Sequence, residues 1–277
     1  MGMEYLGDAV YRFAVYQFFY VALIVFVFGV VYRIGRMVAF WKRPVKAPRR
    51  PRGGGTLVKA FIMTFLEPII HSIKKHPHDF TFGLVLLHVL GVLPIIFLLA
   101  QHVIIWASYF PPYWIVAQLG LWIPESVTSS TLTVTAPVPP VSEMTYRFVN
   151  SIWGPLTIIL NGDVLAVLAI LGVGGKIGMK IVEKIRGNRN VRIGDLIDYI
   201  LLLGLLTTGF LAARHAFMEH GIYTSVVTYK LLLGLHVLFA ELLLMWLPFS
   251  KFWHFVFGYW YGKLHEFWDA RVQKGVA

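Results

Sequence analysis

The chain has 277 residues, is 57% hydrophobic, and has a mean hydropathy of +0.68 and a formal net charge of +11. Soluble domains are usually just under half apolar, so this composition predicts a multi-pass membrane protein with a single membrane domain over residues 1–277. The sequence contains no cysteine, which excludes disulfides, cysteine-held iron–sulfur clusters and the C-x-x-C-H attachment of c-type haem.

Hydropathy predicts five membrane spans and therefore an all-α fold class. The predicted spans cover about residues 10–31, 80–105, 156–178, 197–213 and 226–255. The helix of the fifth span is expected to continue past His254. Pro94 in the second span and Pro248 in the fifth are expected to kink their helices.

Arginine and lysine are concentrated in the loop between the first two spans, in the loop between the third and fourth, and in the C-terminal tail. Positively charged loops stay in the cytoplasm, so the N-terminus is predicted outside and the C-terminus inside. The net charge is interpreted as this topology signal together with contact to anionic lipids, and nucleic-acid binding is rejected.

Three loop segments have a distinct composition. Residues 53–78 alternate apolar and basic side chains and are predicted to be a helix on the cytoplasmic interface. Residues 111–124, "PPYWIVAQLGLWIP", lie in the outer loop and are predicted to be another interfacial helix. Residues 125–143, "ESVTSSTLTVTAPVPPVSE", are predicted to form an extended loop. That loop is either a surface insertion or a contact for a partner protein.

Two of the predicted spans carry two histidines each, His88 with His102 and His236 with His254. In regular helices these separations keep each pair on one stripe, with the two rings about 21 Å and about 27 Å apart. The two spans run antiparallel, so His102 is expected beside His236 near the outer face and His88 beside His254 near the inner face. Neutral imidazoles are axial ligands of haem iron, and the arrangement predicts two b-type haems.

Each histidine taken singly has other uses, as a hydrogen-bond donor between helices or as a proton relay. Arg33, Arg36 and Arg214 are candidates for pairing with haem propionates, although arginines at span ends also anchor helices at the interface. Glu241 and His215 are candidates for a quinol or proton site, because an acid inside a bilayer is costly unless it has a function or a hydrogen-bond partner.

The segment "GLHVLFAELLLMWLPFSKFWHFVFG", residues 234–258, resembles the last helix of the membrane cytochrome b (gamma) subunit of respiratory nitrate reductase. In that family one histidine precedes an apolar helix, "PFS", a basic residue and a second histidine, and His236 and His254 match these positions. Residues 194–209, "GDLIDYILLLGLLTTG", resemble the family's fourth helix, and "LLHVLG", residues 86–91, resembles the start of its second. The same family includes membrane subunits of complexes for dissimilatory sulfite reduction and heterodisulfide-reductase-like complexes.

The resemblance implies a di-haem b cytochrome in the cell membrane. It implies oxidation of a menaquinol-like membrane quinol near the outer face and electron transfer across the bilayer to a cytoplasmic iron–sulfur partner subunit. This chain has no cysteine for such a cluster, so the partner is required under this hypothesis.

The sequence departs from the nitrate reductase branch in one respect, because the two histidines of the second helix are closer together there than His88 and His102. His78 with His88 would give the closer spacing, but His78 lies at the predicted membrane edge. The alternative functions are a haem b subunit of a hydrogenase or formate dehydrogenase, and a non-haem transporter whose histidines relay protons.

Overall fold

The computed structural model describes residues 2–41, 66, 69–70, 72–126, 131–138, 141–149, 151–188, 191–213 and 226–255. In these residues five helices are long and apolar enough to cross a membrane, which confirms the predicted multi-pass helical architecture. They are Tyr5–Arg36, Asp79–Leu98, Gly162–Ile185, Ile193–Ala212 and Tyr229–Phe249, called here the first to fifth spans.

The first span is α-helical over Gly2–Arg12, π-helical over Phe13–Phe18 and α-helical again over Phe19–Trp41. Its buried positions are all small residues, spaced seven, eight and seven apart: Gly7, Ala14, Ala22 and Gly29. Seven residues return to nearly the same face of an α-helix, and the wider π turn absorbs the extra residue of the middle interval. The first span thus presents one continuous small-residue face.

The second span departs from a regular α-helix by more than the kink expected at Pro94. Asp79–Val92 is π-helical and Leu93–Leu98 is a short α-helix. Leu99 then takes an extended conformation, with φ −61° and ψ 131°, before a new helix covers Ala100–Tyr109. The separation expected between His88 and His102 assumed regular turns and does not apply to this segment.

The fifth span also ends earlier than predicted. Its α-helix covers Val226–Trp246 and is followed by short 3-10 turns over Leu247–Phe249 and Lys251–Phe255. Pro248 cannot donate a backbone hydrogen bond, and Ser250 is extended, so the regular helix does not continue to His254.

The third and fourth spans begin at residues that cap their first turns. Asn161 precedes the helix Gly162–Ile185, and its side-chain oxygen accepts the backbone N–H of Val164 at 3.1 Å. The helix Ile193–Ala212 follows Arg192, whose backbone N–H donates to Asp195 Oδ2 at 3.1 Å. These caps satisfy backbone groups that a helix end leaves without partners.

The spans pack in the order second, third, fourth, fifth and first, each against the next. A buried core joins the second, third and fourth spans, and fifth-span residue Leu243 and Phe252 beyond it pack against that core. The buried residues of this core are Leu87, Ala169, Val173, Leu202 and Leu206. Spans two to five therefore surround one core, and the first span lies against the fifth.

The connection between the second and third spans contains short elements. A 3-10 turn over Pro111–Tyr113 leads into the helix Trp114–Gln118. Strands β1 (Thr131–Val138) and β2 (Val141–Val149) then form an antiparallel hairpin with one irregularity between Ala136 and Val138. The segment 125–143, which was expected to be an extended loop, thus contains β1 and the start of β2. Most of the predicted interfacial helix at 53–78 lies outside the described residues.

The alternation of the spans places functional candidates at two ends of the bundle. The end with Leu99 also holds the start of the third span, because Gly162 N donates to Pro124 O at 2.8 Å. The other end holds the Pro248 break of the fifth span and the start of the fourth. These are called the Leu99 end and the Pro248 end.

Candidate functional site

The break at Leu99 leaves four backbone carbonyls without helical partners, and each of them receives another donor. A helix end exposes its last carbonyls, and within a bilayer no bulk water is present to satisfy them. The four bonds are His102 Nδ1 to Ile95 O (2.6 Å), Trp106 Nε1 to Ile96 O (2.8 Å), Tyr113 hydroxyl to Phe97 O (2.6 Å) and Ile123 N to Leu98 O (2.7 Å). The loop that follows the second span is therefore folded back onto the break.

This arrangement fixes the protonation of the His102 ring. Leu99 N donates to Pro94 O at 3.1 Å, which leaves Ile95 O for the imidazole. A carbonyl oxygen can only accept, so Nδ1 of His102 carries the proton and Nε2 carries the lone pair. That is the tautomer a neutral histidine needs to coordinate a metal through Nε2.

Trp106 and Tyr113 were not among the residues singled out from the sequence, yet they hold the break together. Their rings lie 6.5 Å apart, and the Trp106 ring stacks on Phe97 at 6.3 Å. Burial raises the pKa of the Tyr113 phenol, which keeps its hydroxyl protonated and able to donate. This role depends on the helix break at Leu99, which was not predicted from the sequence.

His236 has the same ring chemistry on the neighbouring helices. Its Nδ1 is 2.9 Å from the carbonyl oxygen of Leu205 in the fourth span, so Nδ1 is the donor and Nε2 holds the lone pair. The ring packs on Gly209, where an added Cβ would lie 2.6 Å from Cε1. His236 and His102 are close enough to interact electrostatically, so these two predicted partners lie at the same end of the bundle.

His88 is the third imidazole with this pattern. Its Nδ1 is 2.6 Å from Gly83 O, five residues earlier, a spacing that matches the π-helical turn in which both residues lie. The backbone of His254 lies in the turn Lys251–Phe255, and its side chain is outside the described part of the structure. The pairing of His88 with His254 therefore stays a prediction.

At the Pro248 end, the break in the fifth span is held from two sides. Arg33 Nε donates to Pro248 O at 2.5 Å, and an added Cβ at Gly29 would lie 2.7 Å from Pro248 Cβ. From the fourth span, Asp198 accepts Trp246 Nε1 at 2.5 Å. Arg33, a candidate for a propionate, thus uses one of its donors on backbone.

Asp195 and Asp198 of the fourth span were not singled out from the sequence, although two acids in a hydrophobic run indicate a structural or functional role. Asp195 is 5% exposed and pairs with Lys251 Nζ at 2.5 Å, just past the Pro248 break. Tyr199 and Phe252 meet edge to face at 6.3 Å. The fourth span therefore anchors the turn that carries the backbone of His254.

The remaining candidates have separate outcomes. The Arg36 guanidinium lies 5.7 Å from the centre of the Tyr32 ring on its own helix. Arg214 and His215 lie outside the described residues. Gly91, close to His88, and Gly234, close to His236, are tightly packed, because an added Cβ would lie 2.7 Å from Ala169 Cβ and 2.8 Å from Tyr11 N respectively.

The ligand chemistry fits haem at the Leu99 end. In the described residues no group of three or more His, Asp or Glu side chains could hold a metal ion. A bis-histidine haem needs only two protein ligands, since the porphyrin supplies the other four. His102 and His236 offer two Nε2 lone pairs at one end of the bundle, each fixed by a carbonyl on its Nδ1.

No protein-family model, curated protein or solved structure matches this chain.

Proposed function

We propose that the chain is a membrane b-type cytochrome subunit that oxidises a menaquinol-like quinol near the outer face and delivers electrons to a cytoplasmic iron–sulfur partner. The observation that carries this is the shared state of three imidazoles of the helical bundle, His88, His102 and His236. Each has Nδ1 within 2.6–2.9 Å of a backbone carbonyl. Histidines that ligate metals almost always make this second hydrogen bond, which orients the ring and fixes its tautomer.

His102 and His236 would hold one haem b iron, and His88 and His254 the other. Bound haem would supply a one-electron carrier at each site. The chain's own contribution is orientation: the Leu99 break positions the His102 ring, and the carbonyl of Leu205 together with Gly209 positions the His236 ring.

The proposal includes an orientation in the cell membrane. The Leu99 end would face outward with the N-terminus, and the Pro248 end would face the cytoplasm with the C-terminus. The support is the concentration of lysine and arginine in the loops at the Pro248 end, which the positive-inside rule places in the cytoplasm. Those basic loops would form the docking surface for the iron–sulfur partner.

Counting haems per chain in single and double variants tests both the cofactor and the pairing. Purified wild-type protein should show b-type bands in a reduced-minus-oxidised spectrum and hold two haems. His102→Ala and His236→Ala should each lose one haem, and the double variant should still retain one, because both ligands belong to the same site. His102→Ala combined with His88→Ala should lose both.

A colourless wild-type protein would overturn the haem assignment and favour the proton-relaying transporter. If His88→Ala kept both haems and His78→Ala lost one, the ligand would be His78 in place of His88. Loss of both haems from the His102 and His236 double variant would contradict the pairing. Stopped-flow reduction by a quinol analogue then tests direction: His236→Ala should block the first electron step, and His254→Ala should spare it.

A further inference from the structure

The first and fifth spans run in the same direction and approach each other closely at two places. At Gly234 an added Cβ would lie 2.8 Å from Tyr11 N, and at Gly29 it would lie 2.7 Å from Pro248 Cβ. Between these contacts the π-helical turn of the first span packs against the helix of the fifth. The two close contacts bracket a middle stretch of the interface.

Glu241 lies in that middle stretch. It comes seven residues after Gly234 and seven before Pro248, and seven residues turn an α-helix to within about 20° of the same face. Its side chain is 4% exposed, and neither carboxyl oxygen has a hydrogen-bond partner among the described residues. On the first span, Ala14 and Ala22 are fully buried with small side chains.

The two other buried acids of the fourth and fifth spans behave differently. Asp195 is 5% exposed and pairs with Lys251, and Asp198 is 4% exposed and accepts Trp246 Nε1. An ionised carboxylate without a partner is strongly disfavoured in a bilayer, so Glu241 is neutral. A neutral carboxyl carries one O–H donor and an acceptor oxygen, and both require partners when buried.

We propose that Glu241 is a protonated, water-bonded carboxyl that exchanges its proton inside the bilayer, in the interface between the first and fifth spans. Water at this carboxyl would supply the partners that the described residues do not. In each exchange the carboxyl O–H bond breaks and its proton passes to the adjacent water, while that water gives one of its own protons to the other carboxyl oxygen, so the carboxyl stays neutral.

This site is separate from the proposed haem ligands. Glu241 follows His236 by five residues, which turns the helix 500° and places the two side chains on different faces. The His236 ring packs on the fourth span, whereas the face with Glu241 packs on the first. The proposal therefore stands whether or not haem is bound.

Labelling with a hydrophobic carbodiimide in native membranes tests the protonated state. The carboxyl O–H adds across a C=N bond of the reagent to give an O-acylisourea, whose acyl group then moves from oxygen to nitrogen. The product is a stable N-acylurea that peptide mass spectrometry can locate. Glu241 should be labelled several-fold more than Asp198, which is equally buried but hydrogen-bonded. Labelling of Glu241 at or below the level of Asp198 would overturn the proposal.

Infrared spectroscopy tests the exchange itself and uses a variant that preserves shape. The wild type should show a protonated-carboxyl C=O band that shifts when H₂O is replaced by D₂O and is missing from Glu241→Gln. Asp198→Asn, as the matched control, should keep that band. A band that does not shift in D₂O, or that persists in Glu241→Gln, would refute proton exchange at Glu241. Failure of the haem assignment would appear in the histidine variants and would leave both results unchanged.

Discussion

Replacing Gly209 with alanine should displace the His236 ring without changing any proposed ligand. The added Cβ would lie 2.6 Å from His236 Cε1 and 2.8 Å from its Nδ1, so the ring must move away from the fourth span. Movement breaks the 2.9 Å bond to Leu205 O, which contributes about 1 kcal/mol. Overpacking costs about 1–3 kcal/mol. Alanine's helix propensity recovers about 1 kcal/mol. The net expectation is a loss of about 1–3 kcal/mol in unfolding free energy.

Gly204→Ala is the matched control, because it introduces the same clash on the same helix against a ring that cannot coordinate metal. Its Cβ would lie 2.4 Å from Phe239 Cε1. Both variants should lower the thermal unfolding temperature in detergent by similar amounts. Only Gly209→Ala should change the visible spectrum or lower the haem content. Equal spectral changes in the two variants, or an unchanged spectrum and stability in Gly209→Ala, would refute the reasoning.

Three further substitutions test the packing at other sites by thermal unfolding in detergent. Trp246→Phe removes the 2.5 Å bond to buried Asp198 and should cost about 1–3 kcal/mol; unchanged stability would contradict a contribution from that bond. Gly91→Ala places a Cβ 2.7 Å from Ala169 Cβ and should cost about 1–3 kcal/mol, and a normal yield of equally stable protein would argue against the close packing of the second and third spans. Gly178→Ala meets nothing within 4 Å and should be neutral or stabilising by up to about 1 kcal/mol, whereas a clear loss would reveal a neighbour at that face.

The two helix breaks show where reading the sequence as regular helices fails. Pro94 and Pro248 are visible in the sequence, and a proline alone is tolerated in a membrane helix. At Leu99 the exposed carbonyls accept hydrogen bonds from Trp106, Tyr113 and Ile123, which lie further along the chain than the next helical turn. No local sequence pattern predicts these hydrogen bonds.

The geometric reasoning behind the histidine prediction held only in part. Regular turns were expected to align His88 with His102, but a π-helix and a break separate them. His102 and His236 nevertheless lie at the same end of the bundle, because their spans run in opposite directions around a shared core. The relative direction of two spans follows from the number of spans between them. That part of the prediction therefore does not depend on the helix geometry.

The sequence by itself determined the class of protein, the number of spans and their approximate positions. These follow from local composition, because about 20 apolar residues are needed to cross the hydrocarbon and each span meets that requirement independently. Tertiary structure decided which imidazole nitrogen carries the proton, and which acids find partners. Asp198 and Glu241 are both acids in apolar helices, yet only Asp198 meets a donor, Trp246 Nε1, among the described residues. Hydrogen bonds act over about 3 Å, so their partners are fixed only when distant segments have packed.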